Sequence, residues 1–68
     1  MYETRVEYGT TFEMDWSADV IYKGKQLFTC TGQSEDDLML VVEDWLDYHA
    51  EQLEGIVHVV IYEPTSEQ

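Results

Sequence analysis

Positive charge is almost missing from this chain. Three basic side chains, Arg5, Lys23 and Lys25, stand against 15 acidic ones, for a formal charge of -12. Nucleic acid and anionic membranes both recruit Lys and Arg and repel such a surface, so neither is an expected partner. Whatever binds this chain by charge is expected to be basic. Cysteine is equally scarce. Cys30 stands alone, so no internal disulfide can form, and its expected role is that of a small apolar residue in a reducing compartment. No apolar run approaches the length of a membrane span, and the longest, after Gly55, is broken by His58. Met1, Tyr2, Glu3, Thr4 and Arg5 lack the basic-then-apolar order of a signal peptide, which makes the expected location cytoplasmic.

Chemical motifs are missing as well. There is no Gly-rich phosphate loop, nucleophile elbow or Ser/Cys–His constellation. His49, His58 and Cys30 are not spaced like zinc-ligand pairs. Carboxylates abound, but an acid–base pair needs an apolar pocket to separate its pKa values, and a chain of 68 residues has little room for one. No enzymatic activity, cofactor or metal is expected. Hydrophobic content of 44% nevertheless exceeds that of a disordered acidic tail, so one folded domain is expected over residues 1–68, with a short flexible tail at 64–68.

Period-2 alternation dominates the first half. Phe12, Met14, Trp16, Ala18, Val20 and Tyr22 alternate with Glu13, Asp15, Ser17, Asp19 and Ile21, which predicts a long strand with one dry and one acidic face. Val6 and Tyr8 suggest a shorter strand before it. Pairing Tyr8 with Phe12 and Val6 with Met14 would join the two. Lys23-Gly24-Lys25 reads as a hairpin turn, with Tyr22 opposite Gln26, Val20 opposite Phe28 and Ala18 opposite Cys30. From Ser34 to Leu53 the period becomes helical: Ser34 and Asp37 form a capping-box-like start, and Leu38, Val41, Val42, Trp45, Leu46, His49 and Leu53 share a face. Gly55 stands where a helix C-cap belongs. The β-branched run from Ile56 to Tyr62 predicts a substantially buried strand closed by Pro64. The expected fold is a two-layer α+β domain, βββαβ, in which a three-stranded antiparallel meander precedes one helix and a fourth strand.

At about 100° per residue, Asp36, Glu43, Asp44, Asp47, Glu51 and Glu54 fall in one outward sector, a stripe about 27 Å long with Leu40 in its middle. A solvated helix face ordinarily mixes signs, but this one contains no Lys or Arg. Its neighbouring like charges cost about 0.2–0.5 kcal/mol each. Glu51 and Glu54 would also lie near the negative end of the helix dipole. A cost of that size in so small a domain points to a use. Glu13, Asp15 and Asp19 repeat the theme on the sheet. Tyr48 at the stripe's margin, with Leu40, Ile21 and Tyr2, supplies candidate apolar contacts, whereas Trp16 and Trp45 are expected to pack in the core.

The strand Leu27-Phe28-Thr29-Cys30-Thr31, the helix start Ser34-Glu35-Asp36-Asp37, the helix centre Glu43-Asp44-Trp45 and the strand Val57-His58-Val59-Val60-Ile61 give a chain that resembles small phage-encoded host inhibitors. These are the anti-CRISPR proteins, anti-restriction DNA mimics and phage inhibitors of bacterial RNA polymerase. The resemblance covers about half the chain and rests on architecture and charge. It implies an acidic miniprotein in the bacterial host cytoplasm that occupies a Lys/Arg-lined channel of a nucleic-acid-binding protein, such as a CRISPR effector, restriction enzyme or polymerase. The competing expectation is an interaction module or homodimeric adaptor that uses an exposed sheet face or edge. Adaptation to high salt would also deplete Lys.

Overall fold

A computed structural model describes residues 1–65. Strand β1 (Tyr2–Thr11), β2 (Trp16–Tyr22), β3 (Lys25–Gly32), helix α1 (Glu35–Tyr48), a 3-10 turn (Ala50–Gln52) and β4 (Gly55–Pro64) follow in that order. The class and the βββαβ sequence of elements are those the residue pattern predicts. One helix lies over one face of a four-stranded mixed sheet.

The β2–β3 hairpin forms because Lys23 and Gly24 both take positive φ, 53° and 80°, the two-residue turn whose twist suits antiparallel strands. That turn sets Tyr22 opposite Lys25, whereas the apolar stripe needs Val20 opposite Phe28 and Ala18 opposite Cys30. The two registers differ by one residue. A bulge beyond Val20 absorbs the difference, so Ile21 faces Gln26 and the expected Tyr22–Gln26 pair is not made.

The predicted pairing of the first two strands is not made either. The spatial order is β1-β4-β2-β3. β1 runs parallel to β4 from Tyr2↔Gly55 to Thr11↔Pro64, and β2 runs antiparallel to the other side of β4. With β4 inserted, β1 and β2 are two strand spacings apart, about 10 Å, too far for a tight hairpin. Residues 12–15 become the connection, turned by a bond from Glu13 N–H to Thr11 Oγ1 (3.1 Å), and Phe12 and Met14 are 89% and 93% exposed. Near the same end of the β1–β4 ladder, Tyr62 lies across Gly9, its ring carbons 3.2 Å from where a Cβ would stand. A larger residue at position 9 would displace that ring. Pro64 and Thr65, expected to begin a flexible tail, are instead ordered: Pro64 ends β4 and Thr65 N–H donates to Thr11 O at 2.9 Å. Residues 66–68 lie outside the described residues.

Ser34 caps α1 as predicted, accepting from Asp37 N–H at 3.2 Å. The helix stops at Tyr48, short of Leu53. His49 closes it, its N–H donating to Trp45 O at 3.1 Å, and Ala50–Gln52 forms a 3-10 turn that delivers Leu53 to the core. No basic residue occupies the last turn, so continuing the helix would stack Glu51 and Glu54 on its negative end. Gly55 consequently opens β4, its N–H bonded to Met1 O at 3.3 Å, and does not act as a helix cap.

Ala18, Val20, Leu38, Val42, Leu46, Leu53, Val57, Val59 and Ile61 form the buried core. The helix sits over β2 and β3, which leaves Val6 and Tyr8 of edge strand β1 exposed. Among the described residues no second layer covers the opposite sheet face, where Arg5, Asp19, Ile21, His58 and Val60 stand. Leu38→Ala is expected to cost about 2–5 kcal/mol of unfolding free energy. Phe12→Ser and Met14→Ser should each stay within about 0.5 kcal/mol. Denaturant midpoints read the contrast, and a large loss at position 12 or 14 would contradict the open connection.

Candidate protein-binding surface

The exposed side of α1 gathers Asp36, Leu40, Glu43, Asp44, Asp47 and Tyr48. Leu40 is 69% and Tyr48 85% exposed, so both are available as contacts. The remaining predicted residues lie elsewhere. Glu51 falls in the 3-10 turn and Glu54 just beyond it, so the helical stripe ends at Asp47 and is shorter than its spacing implied. Glu13 and Asp15 belong to the connection and not to β2, because β2 begins only at Trp16. Asp19 does lie on β2 as expected, on the open sheet face, where it accepts from Thr29 Oγ1 at 2.8 Å.

Little compensates this charge internally. Among the described residues no carboxylate lies within ion-pair distance of Lys or Arg, and the one close imidazole–carboxylate contact is His58 Nδ1 with Glu7 Oε2 at 3.3 Å. Lys23 instead places its Nζ 5.3 Å from the Tyr22 ring centroid. Glu35, Asp36 and Asp37 occupy the first turn of α1, where the dipole favours them, but Asp44 and Asp47 lie toward its negative end.

A groove that residue spacing does not reveal lies beside this face. Phe28, Val41, Asp44, Trp45, Asp47, Tyr48 and His49 line an open depression of about 680 Å³ between α1 and β3. Trp45 does pack against the core as expected, yet it remains partly open. Its indole stacks on Phe28 (centroids 5.3 Å apart, planes at 15°) and on His49 (4.3 Å, 39°). Tyr48 meets His49 edge-on at 5.1 Å. The spacing of Trp45, Tyr48 and His49 was visible along the chain, but the approach of Phe28 depends on strand register.

Two titratable groups are displaced from their ordinary behaviour. Tyr8 donates to Glu35 Oε2 at 2.8 Å, and this bond, followed by slight desolvation and the nearby charge, raises the phenol's pKa. Burial, then the Asp19 charge, pushes the Cys30 thiol up, so Cys30 is a poor nucleophile at neutral pH. Among the described residues no group of three or more His, Cys, Asp or Glu side chains is arranged to hold a metal ion. No helix there is long and apolar enough to cross a membrane. No family model, curated protein or solved structure matches the chain.

Because the Tyr8 pKa is raised in the folded state, its bond to Glu35 stabilises the protein below the ordinary phenol range and is lost as pH rises through the higher folded value. Tyr8→Phe is expected to be less stable than the parent at pH 7, and the gap should close in strong alkali. A gap that persists unchanged there would contradict the assignment.

Proposed function

We propose that this protein is a small acidic inhibitor that binds the basic nucleic-acid-binding surface of another protein, in the manner of an anti-CRISPR protein or DNA mimic, and blocks nucleic-acid access without catalysing a reaction. The observation that carries the reading is the carboxylate face of α1, which has no Lys or Arg partner in the described residues. A channel built for phosphates, one per 3.4 Å or so of each strand, offers Lys and Arg side chains that carboxylates can accept hydrogen bonds from. Held on a capped helix, these acids avoid part of the ordering cost of binding. The proposed setting is the cytoplasm of a bacterial host, and the proposed target class includes CRISPR effectors, restriction enzymes and polymerases.

A second reading, an interaction module or homodimer, is favoured by the open sheet face and by the outer edges of β1 and β3, which pair with no strand of the described chain. Sedimentation over a wide concentration range separates the two, since the inhibitor reading is content with a monomer and the homodimer is not.

Glu43→Lys combined with Asp44→Lys and Asp47→Lys tests the inhibitor reading. The variant is expected to fold at least as well as the parent, because it halves the formal charge of -12 and puts cations near the negative end of the α1 dipole. It should lose capture of a nucleic-acid-binding protein that the parent holds at low salt and releases to added DNA. Capture indifferent to DNA, to salt and to these reversals would overturn the proposal.

A further inference from the structure

We infer that the groove between α1 and β3 is an arginine slot, which takes one guanidinium of a basic protein partner between the aromatic rings and the carboxylates. The inference deepens the inhibitor reading and rests on it for the identity of the partner's chemistry. Three independent features converge on the slot. The first is shape: Phe28, Trp45, Tyr48 and His49 present ring faces and edges around an open depression of about 680 Å³. Trp45 is fixed at its centre by stacking on Phe28 and His49.

The second is charge. Asp44 and Asp47 line the same depression, and neither has a Lys or Arg partner among the described residues. The third is position along the helix: the groove flanks the C-terminal half of α1, whose last turn contains no basic residue, so the negative end of the dipole adds to the field there. A cation entering here meets ring quadrupoles, carboxylates and a helix dipole that all favour positive charge.

Arginine suits the site better than lysine. A guanidinium is planar, so it can lie flat on the exposed Tyr48 phenol ring while its edge donates two hydrogen bonds to a carboxylate. It is also more weakly hydrated than an ammonium, and less is lost when it leaves water. Tyr48, at 85% exposure, closes the slot at little cost to the fold, which explains a large aromatic standing in solvent beside two acids.

The slot is tested by titrating labelled protein with the capped peptides acetyl-Gly-Arg-Gly-amide and acetyl-Gly-Lys-Gly-amide, following amide and indole resonances. Saturable shifts at the Trp45 indole N–H and at Tyr48, stronger for the Arg peptide by about threefold or more, are the expected result. Tyr48→Ala and Asp44→Asn should each weaken the Arg peptide by about threefold to fivefold while the other resonances keep their folded positions. Equal shifts for both peptides spread over Asp36 and Glu43, untouched by Tyr48→Ala, would show diffuse counterion attraction and overturn the slot. The two proposals fail separately. If Tyr48→Ala leaves a DNA-displaceable complex at full strength, the slot falls and the inhibitor stands. If parent capture ignores DNA while the Arg peptide still seats on Trp45, the inhibitor falls and the slot stands.

Discussion

β4 in the middle of the sheet is the constraint on which this molecule depends. β1 has no other strand to pair with, and β2 and β3 form only a hairpin without it. Val57, Val59 and Ile61 then supply the floor onto which Leu38, Val42 and Leu46 are laid. The last strand of the described chain therefore completes both halves of the sheet and the core together. The parallel pairing of β1 with β4 is a non-local contact, and such contacts are slow to close.

The arrangement also decides where the charge is shown. Because α1 lies over β2 and β3, its outer side and the β3 margin are the most prominent surfaces of that layer. The acids sit there on a capped element and not on a tail. Toward the helix C-terminus they share the surface with stacked rings, so repulsion and apolar exposure, two liabilities in an isolated protein, occupy one place. In the proposed complex, electrostatic attraction of a basic partner would supply encounter rate and orientation, and the inferred slot the local grip that diffuse charge lacks.

Much of the fold was legible in the residues. Ser34 and Asp37 announced the helix start, Lys23-Gly24 the turn, and the alternation of Ala18 and Val20 with Asp19 the register of the hairpin. What misled was the continuation of that alternation back through Met14 and Phe12. Period 2 reports which way a side chain would point, not whether a strand lies alongside to receive it. The corrective signal stood at the other end of the chain: Ile56, Val57, Val59, Val60 and Ile61 form a near-continuous β-branched run suited to a strand with neighbours on both sides. The helix end was overrun for a related reason, since Leu53 keeps helical phase with the core although a 3-10 turn delivers it there. Of the site, the acids from Asp36 to Asp47 and the exposure of Leu40 and Tyr48 followed from helical geometry alone. The groove did not, because it needs Phe28 brought beside Trp45 by strand pairing.

The central claim is that the acidic surface of the unbound protein is electrostatically uncompensated. The most direct measurement is the unfolding free energy of the isolated protein as sodium chloride is raised from about 10 mM to about 500 mM, which shrinks the screening length from about 30 Å to a few Å. The account predicts a rise on the order of 1 kcal/mol as like-charge repulsion is screened, and a smaller rise in an Asp44→Asn, Asp47→Asn variant. Stability that is flat or falls with salt, or a rise identical in the variant, would mean that these carboxylates are already at ease in the free protein and await no cation.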